Sequence, residues 1–151
     1  DLGYGYIIFD KSGSIICHGQ GEWNIEERTS TTNALEMRSF VLALQALPTF
    51  PSPTTIAWVG DNIGDLYLEM RGFTLSSFIS NQMAWGHTVR FQKKAYVTSC
   101  WYLRSSQNPS DGLSRKKNLS LEDCQRVKTA ARTIFQNPIP FACGVGELLL
   151  P

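Results

Sequence analysis

The stretch NPSDGLSR at residues 108–115 is the most informative part of this sequence. It places one carboxylate, Asp111, in a turn-forming segment directly before the basic run Arg115–Lys117. The basic residues suit an anionic partner, but a carboxylate facing the same anion needs a positive charge between the two. A divalent metal ion would supply that charge, and this hypothesis requires further oxygen ligands elsewhere in the chain.

Composition limits the class of protein. The chain has 151 residues, of which 42% are hydrophobic and 18% charged, and this favours one globular domain with a substantial core. The net charge is only +1, so any nucleic-acid surface has to be local. The four cysteines are widely spaced without a C-x-x-C pair, which gives no zinc signal and is typical of reduced thiols. With no visible membrane span or signal peptide, we expect an intracellular protein without a membrane partner.

The periodicity of the sequence predicts alternating strands and helices. Strands are expected at 2–9, 14–23, 55–59 and 95–103, with a hairpin turn at 10–13. Helices are expected at 33–47, 63–71, 75–85 and 121–135, the first and last with hydroxyl N-caps. This order predicts an α/β fold, a mixed sheet with helices packed on its faces. Residues 1–135 are expected to form the domain, followed by an apolar tail at 136–151 of unknown placement.

Three carboxylates fall where a hard cation could be bound. Glu36 lies at one end of an apolar stripe on the first predicted helix, where an unpaired carboxylate is costly. Asp61 directly follows a buried strand, at the carboxyl end where α/β sheets bind ligands. Asp111 follows the last strong strand after a loop. If the three converge at one edge of the sheet, they provide the cluster of oxygen ligands that a hard cation needs.

Each of these acids also has an ordinary structural explanation. Glu36 could lie at a helix end with its carboxylate in water, and Asp61 could be the N-cap of a helix that begins near Asn62. Asp111 could cap a short helix at 112–117, and the basic run could be a solvated face. Taken together, the three acids favour a metal site over these separate explanations. Each of them lies on or after a predicted helix or strand of the same layered fold.

The segment NPSDGLSR resembles the N-P-A-D-x-x-S-R segment that closes the ribonuclease H domain of retroelement reverse transcriptases. The likeness is greatest to the hepadnaviral and tyrosine-recombinase-retrotransposon types. Further segments agree in order: Gly3–Gly5 resembles the family's G-W-G, Thr32–Glu36 its T-x-x-E, Val59–Asn62 its T-D-N, and Val97–Leu103 its strand before N-P-A-D. The resemblance covers about residues 2–117.

The resemblance implies a ribonuclease H-like mixed sheet flanked by helices, and metal-dependent hydrolysis of RNA in RNA–DNA hybrids. Glu36, Asp61 and Asp111 would be the catalytic, metal-binding residues for two Mg²⁺ ions about 4 Å apart, or for Mn²⁺. The partner would be an RNA–DNA hybrid or RNA. The expected nucleic-acid contacts are Arg104, Arg115, Lys116 and Lys117, then Lys93 and Lys94 further out, and Asn62.

The family has a fourth acid that this sequence does not match. It is an Asp on a first strand, about five residues before the G-W-G, whereas here only two residues precede Gly3. Asp1 could substitute through a shortened loop, and Asp10 is rejected because it lies at a hairpin tip. We therefore expect the strand to lie upstream, to come from another chain, or to be lost. The tail segment Gly146–Leu150 could fill its position in the sheet, but it carries no Asp.

Two classes of function stay open on this evidence. The first is an active ribonuclease H domain, favoured by the three retained acids. The second is a catalytically degenerate module that binds RNA or protein, favoured by the unmatched strand. Both would belong to a larger polyprotein or assembly, as the absence of an initial Met also suggests. An integrase-like or exonuclease-like relative is a weaker alternative, and NPSDGLSR argues against it.

Overall fold

The structure is a computed structural model that describes residues 3–72, 76–136 and 145–150. These residues form β1 (Gly3–Phe9), β2 (Ile15–Glu22), α1 (Thr32–Ala46), β3 (Thr54–Gly60), α2 (Ile63–Arg71), α3 (Ser77–Lys93), β4 (Ala95–Tyr102), α4 (Asp111–Ser114), α5 (Leu121–Gln136) and β5 (Val145–Glu147). Single 3₁₀ turns lie at Glu27–Thr29 and Ser105–Gln107. The predicted α/β class is confirmed. No helix in these ranges is both long and apolar enough to cross a membrane.

The strands form two hydrogen-bonded sheets. β1 and β2 are an antiparallel hairpin, and β3, β4 and β5 form a parallel sheet with β4 in the centre. β1 and β3 nevertheless contribute to the same hydrophobic clusters: Ile8 joins Trp58 in one, and Phe9 joins Val59 in the other. Among the described strands, none pairs with the second edge of β1 or of β3. The two sheets therefore share their packing but lack hydrogen bonds to each other.

Hydrophobic clusters cover both faces of the parallel sheet. One cluster joins the sheet to α1 and α3 and contains Met37, Leu44 and Met83. The other joins the sheet to α5 and contains Trp101 and Ile134. Parallel strands are normally buried on both faces in this way, because the helices that connect them pack above and below. The carboxyl ends of β3 and β4 remain at one edge of this layered core.

The described part of the tail belongs to the core. β5 pairs in parallel with β4, and Leu148 and Leu150 are buried in the cluster that contacts α5. Gly146 permits this pairing, because a Cβ atom there would come within 2.6 Å of the Trp101 ring. The idea that the tail fills a position beside β1 is therefore wrong, since β5 adds to the sheet beyond β4. Residues 137–144 and 151 lie outside the described residues.

Helix α3 is longer than the sequence pattern predicted. The predicted helix ended before Gly86, whereas α3 continues to Lys93. Gly86 is buried against α1, and a Cβ atom there would lie 3.6 Å from both Val41 and Leu44. This glycine therefore marks the close packing of two helices and not a helix end.

The predicted helix starts are confirmed by their caps. Thr31 precedes α1 and its hydroxyl accepts the backbone N–H of Ala34 at 3.3 Å. Ser120 precedes α5 and exchanges two hydrogen bonds with Asp123, both of 3.0 Å, in a capping box. These local bonds satisfy the free N–H groups at the first turn of each helix.

Candidate functional site

A cavity of about 350 Å³ lies where β3 and β4 end. Its walls carry all three of the acidic residues singled out from the sequence, Glu36, Asp61 and Asp111. Glu36 comes from the second turn of α1, Asp61 directly follows β3, and Asp111 is the first residue of α4. The fold therefore brings three distant segments of the chain together around one cavity.

Burial and acidic neighbours both raise the pKa of Glu36. Burial and the negative charges of Asp61, Asp65 and Asp111 together raise the pKa of Glu36 from 4.5 to about 8, with burial the largest cause. A hydrogen bond with Asp61 adds to this effect. Without a cation, Glu36 is therefore mostly protonated at neutral pH. The cavity holds more acidic groups than it can ionise at once.

Asp61 is not the cap of α2. That role belongs to Asn62, whose side-chain oxygen accepts the backbone N–H of Asp65 at 3.1 Å. The Asn62 amide also donates to the side-chain oxygen of Asn33 at 2.6 Å, tying the start of α2 to α1. The ordinary explanation of Asp61 as an N-cap is therefore wrong. Asn62 lines the cavity, as a nucleic-acid contact would, but it is already engaged in these two internal bonds.

The Asp111 segment is built by its own motif. The Asn108 side-chain oxygen accepts both the backbone N–H and the hydroxyl of Ser110, at 2.9 and 2.8 Å. The Ser114 hydroxyl donates to the Asp111 carbonyl at 2.6 Å. Asp111 lies inside α4, which ends at Ser114, so the alternative that it caps a helix at 112–117 is wrong. Its carboxylate lies 3.6 Å from the Arg115 guanidinium.

The glycines of β1 hold this segment in place. A Cβ atom at Gly3 would lie 2.6 Å from the Ser114 carbonyl oxygen, and one at Gly5 would lie 2.5 Å from the Leu113 Cβ. Only glycine allows α4 to lie so close to the strand. The Gly3–Gly5 motif therefore has a packing role that positions Asp111, which the sequence pattern alone did not reveal.

Four of the predicted basic residues follow β4 in the chain, at positions 104 and 115–117. Arg115 lines the cavity, and Lys116 and Lys117 follow it as exposed residues. Lys116 has a left-handed backbone (φ 64°) and forms an ion pair with Glu22, which lowers the pKa of that carboxyl. Arg104 is exposed just after β4. We call these four residues the basic border, because Arg115 is in the cavity wall, the two lysines follow it directly, and Arg104 precedes the lining residue Ser105.

Lys93 and Lys94 lie elsewhere. They precede the start of β4, and a strand of eight residues spans about 25 Å. The Lys93 ammonium donates to the carbonyl oxygens of Gln45 and Leu47, at the end of α1. Lys94 ends α3 with a left-handed backbone (φ 59°). Both lysines therefore lie far from the basic border, at the opposite end of the strand, and their contact with nucleic acid further out stays a prediction.

Asp65 is an acidic residue that the sequence pattern did not single out. It lies in the first turn of α2, its side chain is 0% exposed, and both carboxylate oxygens lack a hydrogen-bond partner in the described part of the chain. Burial raises the pKa of Asp65 from 3.8 to about 7. The available signal was its place in the first turn of the predicted helix that directly follows Asp61 and Asn62.

Comparisons with family models, curated proteins and solved structures find no match. The chemistry that the cavity can support is therefore inferred from its own residues. Carboxylate oxygens are preferred ligands of Mg²⁺. The pKa of Glu36 is raised first by burial and then by the neighbouring acids, and a cation would relieve the second of these effects. The carboxylate oxygens that line the cavity are therefore of the right chemical type for a divalent ion.

The spacing of the side chains is less favourable. Within the described ranges, no three His, Cys, Asp or Glu side chains form a group that could hold a metal ion. A cation would therefore require the carboxylates to move towards one another. Asp1, the proposed substitute ligand, lies outside the described residues.

Proposed function

We propose that this chain is a ribonuclease H-like domain of the reverse-transcriptase type, which hydrolyses RNA paired to DNA with divalent metal ions. The observation that carries this proposal is the meeting of Glu36, Asp61 and Asp111 around one cavity. They come from a helix after a hairpin, from the end of a parallel strand, and from the segment after the next strand. This is the order of elements that the sequence resemblance implies.

The arrangement of the sheets supports the same proposal. The resemblance implies a further strand in the sheet, next to the strand that bears the G-Y-G motif. In the described chain, β1 and β3 each have an edge that no strand pairs with, although their side chains enter the same clusters. An additional strand between them would join the two sheets and could carry a further acid.

The residues of the cavity have distinct parts in the proposed reaction. Glu36, Asp61 and Asp111 would hold the ions, and the ions would activate the attacking water and stabilise the leaving oxygen. Asn62 fixes the turn that carries Asp61 through its bond to Asn33. The contact of α4 with β1 fixes the backbone of Asp111.

Recognition of the nucleic acid would depend on its backbone. Arg115 lies in the cavity wall, and Arg104, Lys116 and Lys117 are exposed. These four residues would meet the phosphates next to the acids. Contacts to phosphates and 2′-hydroxyls recognise the shape of a hybrid and not its sequence. We therefore expect binding that is strongly dependent on salt.

Two observations favour the second candidate function, a catalytically degenerate module that binds RNA or protein. The described acidic side chains do not form a group that could hold a metal ion. Asp111 is also already paired with Arg115. A module of this kind would keep the basic border and the fold, and it would bind a hybrid or RNA without cleaving it.

Cleavage of an RNA–DNA hybrid separates the two candidates. We expect the 151-residue chain to cleave poorly with Mg²⁺ or Mn²⁺. A variant extended at its N-terminus by an apolar strand with an Asp is expected to gain orders of magnitude in rate, because it completes the ligand set. In the extended protein, Asp61→Asn should abolish cleavage while circular dichroism stays unchanged. Glu122→Gln, an exposed acid on α5, is the matched control and should leave the rate unchanged.

Each outcome decides between the candidates. An extended protein that folds, binds the hybrid and remains inactive with both metals would establish the binding module. Efficient cleavage by the 151-residue chain alone would mean that it contains its full set of ligands, so that no added strand is needed.

A further inference from the structure

The C-terminal tail contacts the loop that leads from β4 to Asp111. The side-chain amide of Gln107 donates a hydrogen bond of 2.7 Å to the backbone carbonyl of Leu150, which lies 43 positions further along the chain. Two residues of the same loop, Ser105 and Asn108, line the cavity. The tail is therefore bonded directly to a segment that forms part of the cavity wall.

This bond differs from the other hydrogen bonds of the loop, which are local. The backbone N–H of Asn108, for example, donates to the Ser105 carbonyl at 3.2 Å. Within the described ranges, no other side chain of residues 104–109 is hydrogen-bonded to a residue outside 104–114. A segment that few interactions hold opens more readily than the core, so the loss of one interaction changes its geometry strongly.

The acceptor of this bond is held firmly in the core. The backbone N–H of Leu148 donates to the Tyr102 carbonyl at 2.8 Å, at the end of β4. Leu148 and Leu150 are 2% and 6% exposed and belong to the cluster that contacts α5. The Leu150 carbonyl is therefore fixed relative to β4, and its bond to Gln107 fixes the loop as well.

The position of Asp111 depends on this loop. The carbonyl of Asn108, the residue after Gln107, accepts the backbone N–H of Asp111 at 3.1 Å. On its other side, α4 packs against β1 through Gly5. Asp111 is therefore held from two directions, by the hairpin through α4 and by the tail through Gln107.

We propose that Gln107 is a positioning residue of the cavity, through which the C-terminal tail fixes the place of Asp111. The role of Asp111 in this inference rests on the proposed function. The sequence resemblance ends near residue 117 and assigns no part to the tail. The bond between Gln107 and Leu150 therefore adds the tail to the elements that build the site.

Hydrogen exchange of the 151-residue chain, followed by NMR, tests the inference without depending on cleavage. Gln107→Met keeps an unbranched side chain of similar length but removes the N–H donor. We expect the amides of Asn108 and Asp111 to exchange about twofold to tenfold faster, which corresponds to the loss of one hydrogen bond. The amides of α3 should exchange as before. Gln125→Met is the matched control, since Gln125 is exposed on α5.

Hybrid cleavage by the protein extended with an N-terminal strand separates positioning from a merely structural contact. Gln107→Met should lower kcat about threefold to tenfold and leave KM unchanged, because a displaced Asp111 affects the reaction more than the binding of the hybrid. A contact that only stabilises the fold would lower Tm and leave kcat unchanged well below that temperature.

The outcomes separate this inference from the proposed function. Unchanged exchange of Asn108 and Asp111 in Gln107→Met would overturn the inference and leave the proposed function unaffected. Equally faster exchange in α3, or faster exchange in the loop with unchanged kcat, would also overturn it, because the bond would then serve stability alone. If the unsubstituted extended protein does not cleave the hybrid, the proposed function fails, and the exchange rates still decide whether the tail fixes Asp111.

Discussion

Gly5 and Leu113 lie so close together that a Cβ atom at position 5 would come within 2.5 Å of the Leu113 Cβ. The contact joins β1 to α4, and α4 begins at Asp111. Two sequence motifs that are more than a hundred residues apart therefore form one packing contact. This packing contact matters for the cavity, because it sets the position of Asp111 in the cavity wall.

Gly5→Ala should displace α4. The added methyl group would meet Leu113 and the Ser110 carbonyl oxygen, which lies at 2.7 Å. We expect a loss of about 1–3 kcal/mol in the free energy of unfolding, the usual cost of overpacking. Urea denaturation measures this loss. Gly86→Ala is the matched control, since its nearest side-chain atoms lie at 3.6 Å and alanine favours a helix. Equal stability of the two variants would show that α4 can move without cost.

The acidic cavity should make the fold less stable as the pH rises. Glu36 and Asp65 have ordinary pKa values of 4.5 and 3.8, which the fold raises to about 8 and about 7. Both acids therefore hold their protons more tightly when folded. Their stabilisation is full below about pH 4 and is lost as the pH rises through these folded values. We expect the Tm of the metal-free chain to fall between about pH 5 and 8.

Two variants test this assignment. Glu36→Gln and Asp65→Asn remove the titrating groups, so the double variant should have a flatter profile of Tm against pH. Asp10 has a lowered pKa, and its own contribution is lost only as the pH falls below its ordinary value of 3.8. It therefore does not mask the effect. A Tm that rises from pH 5 to 8 in the unsubstituted chain would contradict the prediction.

Neutralising Lys116 and Lys117 together should weaken binding to an RNA–DNA hybrid of any sequence. The slope of log affinity against log salt should fall by nearly one for each phosphate that the protein no longer neutralises. Fluorescence anisotropy at several salt concentrations measures both quantities. Lys11→Asn is the control, because Lys11 is exposed in the turn between β1 and β2 and is not among the expected contacts. Unchanged affinity and slope in the double variant would mean that the basic run is only a solvated face.

Glu22→Gln should have the opposite effect on the same measurement. Glu22 pairs with Lys116 in the free protein, and its side chain is half exposed. Removing its charge frees the lysine for a phosphate and removes a repulsive group. We expect a modest gain in affinity, about twofold to fivefold, in keeping with the small energies of exposed ion pairs. A loss of affinity would show that the pair orients Lys116 for binding.

The tail should contribute strongly to stability. Leu148 is 2% exposed in the cluster that contacts α5, whereas its neighbour Leu149 is 74% exposed. Leu148→Ala should cost about 2–5 kcal/mol, the usual range for a buried leucine. Leu149→Ala should change the free energy of unfolding by less than about 0.5 kcal/mol. Chemical denaturation of both variants checks the difference, and equal values would place the tail outside the core.

Local chemistry allowed much of the fold to be predicted from the sequence. The strands β1 to β4 and the helices α1, α2 and α5 begin and end within about two residues of their predicted bounds. The reason is that hydroxyl caps, turn residues and apolar periodicity act over a few positions. The prediction of α3 failed at Gly86 because a glycine in a helix can serve either an end or a close contact. Only the packing of α1 distinguishes the two.

The sequence by itself determined which acids were candidate ligands, because Glu36, Asp61 and Asp111 each stood at a position where a carboxylate is costly or exposed to a ligand. The tertiary structure decided which of these acids share a cavity. It also buried Asp65, because burial depends on neighbours far along the chain. It also separated Lys93 and Lys94 from the basic border, because β4 places its two ends far apart. Distance, burial and charge pairing are properties of the folded chain, so no local pattern could predict them.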